Sequence, residues 1–469
     1  MLRRVAAWLD DRLGFSSSIL PLIRHPVPRD VNWWYVFGSA TLVAFAVQVL
    51  TGVALAFTYV PAPNSAYESL RWITQDAVLG SVVRGIHYFG ASAMVILIVV
   101  HAARVFLMGA FKYPRELSWL TGTLLLFLTL GMAFTGQLLR WNQDAYWAMV
   151  VAAEMAGRVP FVGPVLTQLV VAGQTVGGAT LTRFYATHVF LFPALMFILI
   201  AVHLYLVIRH GISEPPRAGE PVDRATYRER YHAYLAKRSV PFWPDAAWRD
   251  VVFALAVGAG VLLLAVVVGP PDLGKQADPT LIEADPRPDW YFLWYFALLA
   301  LLPPPLENLF IVGFPLLVGV LLLALPFLAG DGERHPARRP WAVAAVALAF
   351  LTIGVLIHVG YEAPWSPVLD AGPLPPSVVE GLSPTAARGA RVFEEKGCHN
   401  CHRIAGSGGR RGPDLTTIGD RLSRSQLTAR IMNGGAIMPA YAGNLTPADL
   451  EAVVDFLAQR RPPGATRAE

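Results

Sequence analysis

The sequence predicts an all-α fold, an integral membrane bundle of seven transmembrane helices followed by a small all-α soluble domain. Of its 469 residues 54% are hydrophobic and 15% are charged, whereas soluble domains carry about 25% charged residues. Seven apolar stretches also approach or exceed the length of about 20 residues that a span requires. They lie near residues 33–59, 82–108, 117–139, 184–208, 249–269, 308–329 and 341–361.

The distribution of basic residues predicts the orientation of these spans. If the N-terminus is cytoplasmic, the cytoplasmic segments (1–31, 109–116, 208–248 and 330–340) carry 17 Lys and Arg, and the outer loops (59–81, 137–180 and 269–306) carry 5. This bias follows the positive-inside rule. It also explains the net charge of +5, so we expect no nucleic-acid partner. An odd number of spans puts the C-terminal domain on the outer side.

Composition divides the chain into six parts. The N-terminal part, residues 1–31, has no signal-peptide pattern, and we predict that it is an amphipathic cytoplasmic segment. The Pro-rich part before the C-terminal domain is typical of a semi-rigid linker. The parts are the N-terminal segment (1–31), a four-helix part (32–210), a cytoplasmic linker (211–248), a three-helix part (249–361), the Pro-rich linker (362–384) and the small domain (385–469).

Two apolar spans each carry a pair of histidines. His87 and His101 are 14 residues apart, nearly four helical turns, and therefore share a face. His188 and His203 are 15 apart and fall near one face. The two helices run in the same direction, so His87 matches His188 in depth, and His101 matches His203. Intramembrane ionisable groups are usually functional. Four at matching depths favour two bis-histidine sites for non-covalent b-type haems over four structural histidines.

Glycines repeat at the same 14-residue spacing in the two other spans of this part. A glycine costs about 1 kcal/mol in a helix interior, so the repeats indicate the close approach of a flat group. Small residues for helix packing are the alternative. The four glycines are Gly38, Gly52, Gly122 and Gly136. Arg84 and Arg183 shortly precede the outer histidines, where they could pair with haem propionates or serve as interfacial charges.

The two cysteines of the chain, Cys398 and Cys401, stand directly before His402 as CxxCH. This motif predicts one covalent c-type haem with His402 as an axial ligand. Met438, followed by proline, is the predicted second ligand, and Met432 is the rival. A zinc or thiol-redox site is the alternative, but no second ligand pair is present. Haem attachment outside a bacterial inner membrane agrees with the predicted outer position of this domain.

Residues 30–361 resemble cytochrome b of the quinol-oxidising bc and bf complexes. The matching stretches are RGIHYFGAS, ATLTRFYATH, IRHGISEP and PDWY. The 15-residue histidine spacing and the seven spans resemble the bf branch. The C-terminal domain resembles class I cytochrome c, including the loop Gly412-Pro413-Asp414-Leu415. The bf branch attaches an extra haem through a cysteine at the position of Val36, so we expect no covalent extra haem here.

The resemblance implies an outer quinol site beside the turn Pro288-Asp289-Trp290-Tyr291. Asp289 would accept a proton from quinol, and Tyr291 could help to bind the quinol oxygen. An ordinary turn before an aromatic belt is the alternative. Residues 141–165, with Tyr146 and Trp147, would form the other wall.

Three positions depart from the family pattern. Asp289 occupies the position of a glutamate in the family pattern, Gln137 that of a tyrosine and Arg140 that of a proline. On the inner side, Arg209 and His210 would assist quinone reduction, or simply anchor the helix as positive-inside residues.

By this resemblance the chain would be a subunit of a proton-translocating quinol–cytochrome c reductase. One electron from quinol would pass to a separate Rieske iron–sulfur protein and on to the fused c haem. The other would cross two b haems to an inner quinone. The implied partners are the Rieske protein, the quinone pool, a downstream cytochrome or terminal oxidase, and a second copy in a homodimer. The alternative is a b-type haem anchor that relays electrons between a dehydrogenase and quinone without bifurcation.

Overall fold

The computed structural model describes residues 2–14, 16–17, 20–173, 175–278, 287–362, 371–409, 412–435, 438–442 and 444–461. Within these residues seven helices are long and apolar enough to cross a membrane, which confirms the predicted bundle. The helices of this part are α1 (Leu2–Leu13), α2 (Leu20–Ile23), α3 (Phe37–Ala56), α4 (Ala66–Gln75), α5 (Gly80–Leu107), α6 (Glu116–Leu138), α7 (Gln143–Gly157), α8 (Gly163–Val171), α9 (Gly178–Ala186), α10 (Phe192–His210), α11 (Tyr227–Arg238), α12 (Ala247–Val267), α13 (Trp290–Leu301), α14 (Pro304–Leu328) and α15 (Pro340–Glu362).

The fourth span is composite. It consists of α9, a π-helical turn (Thr187–Leu191) and α10. It therefore begins at residue 178, earlier than the predicted 184, because the polar residues before His188 continue the helix beyond the apolar run. A π-helical turn, Phe242–Ala246, also precedes α12.

Helices α3, α5, α6 and α10 form the centre of the membrane part. Helix α5 packs against α3 and α12, and α10 packs against α6. Between them lies a buried apolar cluster that includes Phe45, Met94 and Met196. The outward faces carry exposed large apolar side chains such as Leu50 and Leu263. Soluble proteins rarely expose apolar surface on this scale, so the chain is an integral membrane protein.

Each end of the bundle is named after one of its residues. Asp289 lies at one end, here named the Asp289 side. The opposite end, the Arg334 side, is held by an ion pair and a hydrogen bond, each from a buried arginine. Arg334 pairs with Glu214 at 2.6 Å, and Arg115 donates to the Tyr227 hydroxyl at 2.7 Å. On this side β1 (Pro26–Pro28) pairs antiparallel with β2 (Ser239–Pro241), which ties the N-terminal segment to the loop before α12.

The C-terminal part has its own core, formed mainly where α17 crosses α21. Its elements are α16 (Pro376–Val379), α17 (Pro384–Glu395), α18 (Cys398–Cys401), β3 (Arg403–Ile404), β4 (Ser407–Gly408), α19 (Ile418–Arg421), α20 (Arg424–Asn433) and α21 (Pro447–Ala458). Gly389 lets α17 approach the α21 backbone, because an added Cβ would collide with the Ala452 carbonyl.

Two apolar residues of the Pro-rich stretch pack on this core. Leu374 and Val378, assigned to the Pro-rich linker, are buried in the C-terminal core with 5% and 2% exposure. Pro375 and Pro376 begin the short helix α16, which places these apolar side chains against the core. The linker end at residue 384 stays a prediction. Residues 363–370 of that linker lie outside the described residues.

Candidate haem and quinol sites

His87 on α5 and His188 on the π-helical turn form the first histidine pair. Their ring centroids are 6.4 Å apart, and the ring planes are inclined by 79°. Metal–imidazole bonds are about 2.0–2.1 Å long, so two rings on one metal have centroids roughly 6 Å apart. The first pair therefore has the separation that one iron between two imidazoles requires.

His101 on α5 and His203 on α10 form the second histidine pair, nearer the Arg334 side. His101 and Gly122 line one small cavity. Gly122 in turn lies against the His203 ring, since a Cβ there would be 3.3 Å from Cε1 of His203. The two histidines thus approach the same space from α5 and α10.

Each of the four predicted glycines faces one histidine ring. A Cβ at Gly136 would lie 2.6 Å from the His188 ring, and one at Gly38 would lie 3.0 Å from the His101 ring. Gly52 stands in the same relation to His87, at 3.2 Å, and Gly122 to His203. The flat group that approaches each glycine is an imidazole, so the glycines leave room for the four histidine rings.

Three threonines that the sequence analysis missed hold these rings. Thr51 Oγ1 lies 2.9 Å from Nδ1 of His87, and Thr135 Oγ1 lies 3.0 Å from Nδ1 of His188. Thr121 Oγ1 is 2.9 Å from Nδ1 of His203. Each threonine directly precedes one of the glycines. The recurring dipeptide Thr-Gly was therefore the sequence pattern that could have identified these threonines. With Nδ1 engaged, Nε2 of each ring is the atom left for iron.

The predicted arginines differ in environment. Arg84 is buried, and its guanidinium donates to Thr74 Oγ1 at 3.1 Å and to the Pro271 carbonyl at 2.8 Å. Arg183 is exposed and donates to the Leu169 carbonyl at 2.7 Å. The sequence analysis missed Arg104, which is buried three residues after His101.

Arg104 lies with its guanidinium 3.5 Å from the centre of the Tyr35 ring. Its Nε and Nη2 find no hydrogen-bond partner among the described residues. Buried donors without a hydrogen bond are costly, so these two nitrogens are available to an anionic group such as a carboxylate beside the second pair.

The turn around Asp289 is tied to two helices, α5 and the end of α6. Tyr291 donates its hydroxyl to Asp289 Oδ2 at 2.8 Å, and Arg140 approaches Asp289 Oδ1 at 3.5 Å. The backbone N–H of Asp289 donates to Gln137 Oε1 at 3.4 Å. Trp290 donates to Ser92 on α5 at 3.2 Å. The turn is therefore fixed against α5 and the end of α6, immediately after the half-buried Pro288.

Tyr291 is already engaged by this carboxylate. Burial, and then the charge of Asp289, hold the pKa of Tyr291 well above its usual value. Its hydroxyl therefore remains protonated, as a donor to Asp289. A quinol oxygen would have to compete with that hydrogen bond.

Tyr146 and Trp147, predicted for the second wall of the quinol site, lie in different environments. Tyr146 on α7 is buried, and burial raises the pKa of its hydroxyl to about 12. Trp147, its neighbour, instead lines the large cavity of the C-terminal part. Its indole N–H has no hydrogen-bond partner among the described residues.

Near the Arg334 side, the predicted quinone residues make few side-chain contacts. Arg209 is exposed, and the His210 carbonyl accepts from Arg115 at 3.2 Å. Asp250, in the first turn of α12, accepts a hydrogen bond from Ser39, which adjoins Gly38. Asp250 was missed, although a carboxylate at the start of an apolar span was a readable signal.

The cavity of the C-terminal part has a volume of about 520 Å³. Cys398, Cys401, His402 and Met438 all line it. Burial raises the pKa of the Cys398 thiol to about 12, so this sulfur is a neutral thiol in an apolar wall.

His402 is oriented by its own loop. Its Nδ1–H donates to the Pro413 carbonyl at 2.8 Å, which leaves Nε2 free to bind iron. A Cβ at Gly412 would collide with the same ring. Met432, the rival ligand, is not among the described residues that line the cavity.

Comparison with known proteins agrees with both parts. Residues 22–211 match the family model of cytochrome b/b6/petB, and residues 276–373 match cytochrome b(C-terminal)/b6/petD. Cytochrome b6 of Heliobacterium modesticaldum is 41% identical over 210 residues, which cover 44% of this chain and 99% of that protein.

The chain belongs to the cytochrome b family.

Cytochrome b of Rhodobacter capsulatus is 33% identical over 300 residues, or 63% of this chain and 67% of that one. Among solved structures, a chain of a hyperthermophilic respiratory Complex III matches with a TM-score of 0.66 at 27% identity, covering 76% of this chain and 91% of that one. Residues 384–457 match the model of cytochrome C oxidase, cbb3-type, subunit III. The chain is thus a cytochrome b-type oxidoreductase subunit of a bc/b6f-like complex, with a fused cytochrome c domain and haem cofactors.

The three departures from the cytochrome b pattern lie together in space. Arg140 and Gln137 both contact Asp289, the first through its carboxylate and the second through its backbone N–H. The shorter carboxylate of Asp289 thus has an arginine partner that the proline of the family pattern could not supply. The three substitutions therefore change the polarity of this pocket together, because Gln137 and Arg140 both contact Asp289.

Proposed function

We propose that this chain is the cytochrome b–c fusion subunit of a proton-translocating quinol:cytochrome c oxidoreductase. It oxidises quinol on the Asp289 side, reduces quinone on the Arg334 side, and passes one electron of each quinol outward through a Rieske iron–sulfur protein to its own C-terminal domain. The observation that carries this proposal is the 6.4 Å separation of the His87 and His188 rings, which suits one bis-imidazole iron in the membrane.

The residues would hold three haems. His87 with His188, and His101 with His203, would each bind a non-covalent b-type haem. Cys398 and Cys401 would form thioether bonds, with His402 and Met438 as axial ligands. When bound, these haems supply one-electron carriers between two-electron quinone reactions. Arg84, Arg104 and Arg183 are the cations available for their propionates.

Asp289 is the proton acceptor of the proposed quinol site. Its carboxylate accepts from Tyr291 and pairs with Arg140, and its remaining lone pairs can accept a hydrogen bond from a quinol hydroxyl, the contact through which a proton can move. On the opposite side Asp250, which accepts a hydrogen bond from Ser39, is the carboxylate that would pass a proton from the cytoplasmic side to the quinone. Arg209 and His210, at the end of α10, would be the basic residues of the quinone-reducing site.

The proposed location is a bacterial inner membrane, with the N-terminus in the cytoplasm. Within the membrane part, the segments on the Arg334 side carry 17 Lys and Arg and the loops on the Asp289 side carry 5, which supports the assignment of the Arg334 side as cytoplasmic. The C-terminal domain then lies on the periplasmic side, where covalent haem attachment takes place. A downstream cytochrome or a terminal oxidase would accept its electron, and the complex would be a homodimer.

Purification from native membranes tests the proposal. We expect covalent haem on this chain, two b-type haems by spectroscopy, a co-purifying Rieske protein and the mass of a dimer. The relay alternative, a haem anchor without bifurcation, predicts a dehydrogenase partner instead. One b-type haem, or the absence of an iron–sulfur partner, would overturn bifurcated quinol oxidation.

A further inference from the structure

The two histidine pairs differ in the hydrogen bonds at Nδ1. Both rings of the first pair, His87 and His188, meet a threonine hydroxyl. In the second pair His203 meets Thr121, but His101 has no hydrogen bond to its ring among the described residues. The residue that precedes its glycine, Gly38, is Phe37 and not threonine. The first pair thus has two such bonds and the second has one.

The direction of these bonds follows from the threonine proton. Thr51 donates its hydroxyl proton to the Val47 carbonyl at 2.7 Å, so its oxygen accepts from Nδ1–H of His87. Thr135 likewise donates to the Gly131 carbonyl at 2.9 Å, and Thr121 to the Leu117 carbonyl at 3.0 Å. An imidazole that donates from Nδ1 is a more basic ligand at Nε2. A more basic ligand favours oxidised iron and lowers the reduction potential.

Nearby cations are more evenly matched between the two pairs. Arg84 is buried three residues before His87, and Arg104 is buried three residues after His101. Each pair therefore has one buried guanidinium about one helical turn from its α5 ligand. The threonine count distinguishes the pairs where these arginines do not.

We propose that Thr51 and Thr135 lower the midpoint potential of the haem at the first pair, and that Phe37 keeps the haem at the second pair higher by leaving His101 without an acceptor. The three threonines and Phe37 are positioning and tuning residues that act through the histidines. The resulting difference makes electron transfer from the Asp289 side to the Arg334 side downhill. This inference rests on the proposed function, since it presumes a haem at each pair.

Redox titration of the b haems in the purified complex tests the inference. We expect T51V and T135V to raise the potential of one and the same haem, and T121V to raise the other. A tenfold change in the equilibrium constant corresponds to 59 mV for a one-electron couple, and we expect up to about that change for each variant. T51S keeps the hydroxyl and should titrate as the unaltered protein.

Phe37 gives the converse test. F37T adds a hydroxyl in the register of the other three threonines and should lower the potential of the haem that T121V raises. F37V removes the same ring without adding a hydroxyl and is the matched control. T129V is the control on α6, because Thr129 donates to the Leu125 carbonyl at 2.8 Å and contacts none of the four histidines.

Haem content and absorption spectra show whether each variant is intact before its potential is compared. The inference is overturned if T51V and T135V move different haems, if full haem occupancy accompanies unchanged potentials, or if F37T and F37V behave alike. Loss of haem from T51V is resolved by T51S, which must retain both haem and potential. Two intact haems with unmoved potentials reject the tuning alone, whereas the absence of one b haem rejects the proposed function.

Discussion

His188 and His203 present their rings to α6 in one register, although 15 residues separate them. Their facing glycines, Gly136 and Gly122, are 14 apart. The π-helical turn Thr187–Leu191 takes up the additional residue, as single π turns at functional sites commonly do. The 15-residue spacing is therefore compatible with the 14-residue spacing of His87 and His101 on α5.

Deletion of Val189 tests this account of the π turn. The deletion should convert the turn to regular α-helix while His188 and His203 stay in register, so both b haems should be retained. Insertion of one alanine after Val189 lengthens the His188–His203 spacing from 15 to 16 residues and should remove one b haem. Reduced-minus-oxidised spectra of the purified variants measure both outcomes. Equal haem loss in the two variants would contradict the account.

Substitution of alanine for the histidine-facing glycines should lower haem content, and the loss should be larger where the added Cβ lies closer to the histidine ring. G136A places a Cβ 2.6 Å from the His188 ring, whereas G122A places one 3.3 Å from the His203 ring. We expect G136A to lose the haem at the first pair and G122A to keep most of the second. Gly354 on α15 has no atom within 4 Å of an added Cβ, so G354A is the control. Haem content per polypeptide measures the series.

Substitution of Asp289 should lower the rate of quinol oxidation more than substitution of Arg140. D289N removes the proton acceptor, and we expect quinol oxidation to fall by about 10²-fold or more. R140K keeps a cation beside Asp289 and should retain most of the rate, while R140Q should raise KM and lower kcat. Steady-state kinetics with a soluble quinol analogue measure these values. A D289N variant with an unchanged rate would remove Asp289 from the proton path.

Met438 and Met432 should respond differently to substitution. M438A should leave the iron of the c-type haem with one protein ligand, so its reduced form should bind carbon monoxide. M432L should remain six-coordinate, because Met432 does not line the cavity among its described residues. Carbon monoxide difference spectra of the c-type haem separate the two. Carbon monoxide binding in M432L but not in M438A would reverse the ligand assignment.

Periodic features of this chain were predictable from sequence. The seven spans follow from runs of apolar residues, and the depth pairing of the histidines follows from helix geometry alone. The threonine contacts were also within reach, because Thr-Gly recurs at three of the four glycines, beginning with Thr51 and Gly52.

Other features depend on contacts between distant residues. Arg140 and Asp289 are 149 residues apart, and no local pattern pairs them. The π turn at His188 lies where the fourth span packs on α6, and local helix propensity does not encode it. Trp147 matched the quinol wall by position in the family pattern, yet it lines the cavity of the C-terminal domain, because α7 has neighbours on both sides.

The early start of the C-terminal core limits how far that domain can travel. Since Leu374 belongs to the core and α15 ends at Glu362, the tether between them is 11 residues long. Such a tether spans at most roughly 40 Å. An electron donor docked within that radius meets its acceptor at an effective concentration on the order of millimolar. Transfer to the fused domain would then be independent of protein concentration, unlike transfer to a freely diffusing cytochrome.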